Sequence, residues 1–129
     1  MVVDTSALTA IILGEPEEQA FVEALAGAET LRMSAGTLAE LGITLVVRHG
    51  PEAERRAHAL ISKARIEIVP VDQAQALAIW NAYRRYGKGL SPAKLNYGDC
   101  FAYALAKSLN EPLLYKGSDF AKTDVRPAV

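Results

Sequence analysis

The chain has 129 residues, 50% of them hydrophobic, a size and composition that suit one domain around one core. Its 14 Lys and Arg against 15 Asp and Glu exclude a globally basic nucleic-acid binder, so any contact with nucleic acid has to come from a local patch or through a bound cation. A single cysteine, Cys100, excludes an internal disulfide framework and fits a reducing compartment.

Met1-Val2-Val3 is a β-branched run that stops on Asp4. Thr5 and Ser6 then open a helical pattern through Ala7, Leu8, Ala10, Ile11, Ile12 and Leu13, closed by Gly14. An acid at the carboxyl end of a buried strand stands where open α/β sheets place their ligands. Asp4 also interrupts the first apolar run, with no basic segment ahead of it, and no apolar stretch reaches the ~18 residues of a membrane span. The expectation is a cytoplasmic protein without a secretory leader. Pro16 leads into a helix over 17–26 with Phe21, Val22 and Leu25 on one face, and 31–34 reads as a weak second strand.

The helix expected over 35–49 has an unusual distribution. Leu38, Ala39, Leu41, Ile43, Leu45, Val46 and Val47 cover most of its circumference, which predicts a largely buried helix, and Thr37, Glu40, Thr44 and Arg48 fill a narrow polar stripe. After Gly50-Pro51 an amphipathic, charged helix runs over 52–64. His49 and His58 have no ligand partners nearby and read as surface or boundary residues. A third strand over 66–71 precedes a helix over 72–86, in which Leu77, Trp80 and Tyr83 share a face expected to pack in the core. Arg84, Arg85, Lys88 and Lys94 lie in or beside the loop 87–96. That loop is read first as solvated, with phosphate contact as the alternative.

Asn96-Tyr97-Gly98-Asp99-Cys100-Phe101 opens a second helix of the unusual kind. Cys100, Phe101, Ala102, Ala104, Leu105, Ala106 and Leu109 surround a thin stripe of Asp99, Tyr103 and Lys107. Asn96 suits the N-cap, Cys100 a small buried hydrophobe, and the helix N-terminus favours an ionised Asp99. A strand over 113–115 follows, then Asp119 in the turn behind it, and 124–125 is expected to add a short edge strand. Alternating strands and helices predict a single α/β domain over 1–129, with a mainly parallel sheet covered on both faces. In that arrangement Asp4 and Asp119 meet at one rim.

Taken singly, Asp99 reads as a surface acid of a first helical turn and Glu40 as part of a solvated stripe. Together with Asp4 and Asp119 they form a candidate constellation of four carboxylates. Two unit charges about 4 Å apart repel by roughly 4 kcal/mol at an effective dielectric of 20. A converging cluster therefore either takes up protons or binds a divalent cation. All-oxygen ligation suits Mg²⁺ or Mn²⁺ and disfavours zinc, and a hard ion that keeps waters suits phosphodiester hydrolysis. Without a placed histidine, zinc-hydrolase, Ser-His-Asp and cysteine-protease chemistries fail. Neither the P-loop nor the dinucleotide glycine pattern occurs.

Four segments in order, Val2-Val3-Asp4-Thr5-Ser6-Ala7-Leu8, Leu38-Ala39-Glu40-Leu41, Asn96 to Ala104, and Leu114 to Phe120 with Thr123-Asp124-Val125 behind it, resemble the PIN-domain ribonucleases. Within them they resemble the VapC toxins of type II toxin–antitoxin pairs. The resemblance covers the whole chain. It implies an α/β/α sandwich and an acidic pocket for Mg²⁺ or Mn²⁺ in which Asp4, Glu40, Asp99 and Asp119 are the metal-binding and catalytic acids. Ser6 matches a position that holds water or substrate, and Asn96 and Asp124 are further candidates for positioning. The resemblance also implies cleavage of RNA, including structured RNA such as tRNA, a homodimer, and a VapB-type antitoxin that can push a basic side chain into the pocket.

Overall fold

In the computed structural model, which describes residues 1–129, four short strands form one parallel sheet: β1 (Val2–Val3), β2 (Arg32–Ser34), β3 (Glu67–Val69) and β4 (Leu113–Leu114), in the order β3-β2-β1-β4. All three pairings are parallel, with Val2 opposite Arg32 and Val3 opposite Leu114. Six helices connect and cover them: α1 (Thr5–Ile12), α2 (Glu18–Gly27), α3 (Ala35–Arg48), α4 (Pro51–Lys63), α5 (Gln73–Tyr86) and α6 (Tyr97–Leu109). None is long and apolar enough to cross a membrane.

Strand alternation divides the core into two layers. Val3, Met33 and Leu114 point to one face and pack with Leu8, Phe21, Leu25, Leu41 and Leu45 of α1–α3, whereas Val2 and Leu113 point to the other and pack with Ile79, Ala82, Ala102, Leu105 and Ala106 of α5 and α6. The predicted α/β/α sandwich with a parallel sheet is the architecture found. Strands β1 and β4 are buried on both faces, which is why they read as continuous apolar pairs, whereas β3 at the edge is only partly covered and carries the exposed Glu67.

Three packing expectations fail. Helix α3 is not largely buried: Thr37, Leu41 and Leu45 form its inward row, while Ile43, Val46 and Val47 are 65%, 62% and 73% exposed. On α5 the buried residues are Ile79 and Ala82, and Trp80 is 64% exposed, with Leu77 and Tyr83 also turned outward. Small residues let α5 lie close against the alanines of α6, which leaves the larger side chains on the outer side. Val22 of α2 faces outward as well. The edge strand expected at 124–125 is reduced to one bridge, formed later in the chain between Leu113 and Pro127. It rests on Leu113 N–H donating to Arg126 O and Ala128 N–H donating to Leu113 O, while Asp124 is drawn into side-chain pairing. His49 and His58 are exposed, as expected.

Candidate active site

The carboxyl ends of the paired strands β1 and β4 meet at one rim, and the chain leaves β1 directly into Asp4. Asp4 is the N-cap of α1, its Oδ2 accepting the Ser6 N–H at 3.0 Å and the Ser6 Oγ–H at 2.6 Å. Lys116, just past β4, donates its backbone N–H to Ser6 Oγ at 2.9 Å. The two strand ends are thus stitched through one serine, and Asp4 is fixed in orientation. Its other oxygen, Oδ1, is buried and has no partner in the chain.

Asp99 is held by similar means. It occupies the third position of α6 in a capping box: its N–H donates to Asn96 Oδ1 at 2.8 Å, and its Oδ2 accepts the Asn96 N–H at 3.0 Å. Asn96 is therefore a cap, as the sequence indicated. In both acids one carboxylate oxygen is spent on the helix start, beside a cavity of about 450 Å³. Asp4, Glu40 and Asp99 all line that cavity, with Ser6, Thr9 and Lys116 among its other walls.

Electrostatics follow from this enclosure. Burial pushes the Asp4 carboxyl up to about 6 against the pull of the Ser6 hydrogen bonds, with the Glu40 charge adding to the rise. Asp99 is also pushed up to about 6, first by burial and then by the charges of Asp4, Glu40 and Asp119, with the Asn96 N–H opposing. The Asn96 N–H at the helix start favours the ionised Asp99, as expected, but desolvation outweighs it in setting the direction of the shift. Asp119 is exposed and does not line the cavity, although its field reaches Asp99.

The donor set is suited to a hard cation. It offers oxygen ligands only, including the orphaned Asp4 Oδ1. No three acidic, histidine or cysteine side chains converge at metal-ligand spacing, so the chain does not form a closed cage. An ion bound through one or two carboxylates and several waters, the habit of Mg²⁺, fits this arrangement.

The remaining candidates lie elsewhere. Asp124 does not line the cavity. Its carboxylate accepts the Tyr103 O–H at 2.6 Å and pairs with Lys107 at 3.1 Å and Arg85 at 3.5 Å, which holds its pKa down. Arg84 lies over the Trp80 ring and donates to Asn81 Oδ1. Lys88 and Lys94 are exposed on the loop 87–96, away from the cavity walls. The cluster that looked basic in sequence is half consumed by internal pairing. Cys100 is fully buried and its thiol is pushed up to about 12, first by burial.

Residues 1–126 match the family model for the PIN domain. Ribonuclease VapC42 of Mycobacterium tuberculosis is 45% identical over 129 residues, covering 99% of this chain and 98% of the relative. Ribonuclease VapC of Mycolicibacterium smegmatis is 46% identical over 125 residues, 97% of each chain. The chain belongs to the PIN-domain family, in its VapC branch. Among solved structures, VapC20 of Mycobacterium tuberculosis, described as a Sarcin-Ricin loop cleaving toxin, superposes with a TM-score of 0.75 at 20% identity over 98% of both chains. VapBC2 of Rickettsia felis gives 0.74 at 19% identity, covering 98% of this chain and 94% of that one. These two likenesses concern the fold.

Two features of this VapC-type site were not found from sequence. Gly98 brings α6 against Glu40, and Lys116 enters the cavity wall with Glu15 as its partner. Lys116 stands two residues past the end of β4, so its place just after a strand was an available signal. Its neighbour Glu15, by contrast, comes from the α1–α2 loop and carries no such mark.

Proposed function

We propose that the chain is the toxin of a toxin–antitoxin pair and an endoribonuclease that hydrolyses RNA phosphodiester bonds with Mg²⁺ or Mn²⁺. The observation that carries this reading is the buried Asp4, whose Oδ1 has no partner in the chain, on the wall of a cavity it shares with Glu40 and Asp99. A carboxylate so placed is costly unless a cation completes it. One or two of Asp4, Glu40 and Asp99 would hold the ion directly and the remainder, with Asp119, would reach it through water. Bound there, the ion supplies Lewis-acid polarisation of a phosphate oxygen and a water of lowered pKa.

The chain's own residues have distinct tasks. Ser6 and the Lys116 N–H orient Asp4, the Asn96 cap orients Asp99, and both acids line the cavity. The raised carboxyls of Asp4 and Asp99 in the metal-free cavity would release protons as a cation enters.

The partners belong to the same reading. A VapB-type antitoxin with a basic side chain relieves the repulsion among the acids as a metal does, and a second copy of the chain covers the outer apolar face. That face runs from Ile43, Val46 and Val47 across Tyr97 and Phe101 to Trp80, and includes a groove of about 400 Å³ lined only by apolar side chains. A largely apolar patch, with Glu40 and Thr44 at its border, complements itself under twofold symmetry. The test of the reading is cleavage of total cellular RNA by purified protein. The parent with Mg²⁺ or Mn²⁺ should cut, and the parent with EDTA or an Asp99→Asn protein should not. An Asp99→Asn protein that cuts as fast as the parent overturns it.

A further inference from the structure

The carboxylate cavity has one cationic wall. Lys116 lines it beside Asp4, Glu15, Glu40 and Asp99. Its backbone is pinned at the rim by the N–H donated to Ser6 Oγ. The Nζ pairs with Glu15, and with Glu17 at 3.1 Å, which raises its pKa. Its side chain keeps 36% of its exposure and those of Glu15 and Glu17 keep 29% and 39%. Ion pairs this open to solvent are weak and exchange readily.

From this geometry we infer that Lys116 is a phosphate-binding residue of the RNA site, parked on Glu15 and Glu17 in the free protein and handed to a substrate phosphate on binding. This rests on the ribonuclease reading above. An anionic strand approaching this rim meets four carboxylates among neutral side chains, and Lys116 is the one cation on the cavity wall. A lysine ammonium on a four-carbon arm is a mobile point charge able to leave a carboxylate for a phosphate. The fixed backbone and free side chain allow this without disturbing Asp4. If Lys116 were only a strut between the α1–α2 loop and the sheet, its contribution would be to stability alone.

The experiment measures binding of a labelled single-stranded RNA oligonucleotide of mixed sequence to the whole protein in Ca²⁺, across a salt series. Lys116→Gln should raise Kd about fivefold and make the log–log salt dependence shallower by about 0.7, the value of one contact to single-stranded nucleic acid. Lys116→Arg should keep the slope. Glu15→Gln with Glu17→Gln frees the lysine and should tighten binding, and that gain should vanish when Lys116→Gln is added. A pure strut predicts no change of slope, and loss of two nearby charges acting only through the general field predicts the same gain with and without Lys116. Either result overturns the proposal. Should Lys116→Gln fail to fold, the Glu15 and Glu17 double variant decides: weaker or unchanged binding overturns the proposal. Absence of Asp99-dependent cleavage in total RNA would instead refute the ribonuclease reading, independently of the Lys116 result.

Discussion

The Glu40 carboxylate of α3 rests directly on the Cα of Gly98 in α6, so closely that a methyl group on Gly98 would overlap Glu40 Oε2 and Cδ. The residue before Asp99 thereby sets where the acid of the neighbouring helix lies. A Gly98→Ala protein should fold, because the group displaced is the end of a flexible side chain and alanine is favoured over glycine within a helix by about 1 kcal/mol. RNA cleavage should fall by about 10- to 100-fold, the usual cost of disturbing a group that orients a metal site. Thermal melts and cleavage rates measured together check this. Unchanged cleavage would show that the position of Glu40 does not matter.

Asp4 makes the metal-free protein sensitive to pH. Its folded pKa of about 6 lies above the ordinary value of 3.8, so the folded state binds the proton more tightly than the unfolded chain does. The resulting stabilisation is complete below pH ~4 and is lost as the pH rises through about 6. The metal-free parent should melt lower at pH 7.5 than at pH 5.5. In Asp4→Asn this pH dependence should shrink and stability at pH 7.5 should rise by up to about 3 kcal/mol. Mn²⁺ should stabilise the parent more than the variant. Equal melting curves and equal metal responses would contradict the buried-carboxylate argument.

Asp124 gives the opposite sign. Tyr103, Lys107 and Arg85 hold its pKa down, so its contribution is present above the ordinary carboxylate value and is lost as the pH falls through its lowered folded value. Asp124→Asn should cost about 1 kcal/mol at neutral pH and flatten the acid limb of the stability curve. Its response to Mn²⁺ should match the parent's, since Asp124 does not line the cavity. A lost metal response in melting experiments would place it in the metal site after all.

The outer face of α3 should govern assembly. Val46 is 62% exposed, so Val46→Glu should leave the melting temperature of the monomer nearly unchanged while shifting the protein from dimer to monomer in sedimentation equilibrium. A parent that is monomeric at all concentrations, or a variant that still dimerises, would remove this face from consideration.

Much of this was legible in the chain because it is decided locally. A β-branched pair ending on an acid before a helix start, the Asn96–Asp99 spacing of a capping box, and the strand–helix alternation each have a short-range cause. They appear where expected, down to Asp4 and Asp99 facing one cavity. Periodicity also identified the side chains that share a face of α5, but on α3 it grouped the buried Leu41 and Leu45 with the outward Ile43, Val46 and Val47. It carries no information on which face meets another element, and so Val46, Val47 and Trp80 were expected inside and stand outside. Partner choice is equally non-local. Asp124 is taken by Tyr103, and Lys116 by Glu15, across separations of 21 and 101 residues, and distances of that kind are set only when the layers close. The sequence by itself determined the elements and the acids they carry. The tertiary structure decided which acids share a cavity, which are neutralised by pairing, and which apolar face remains uncovered.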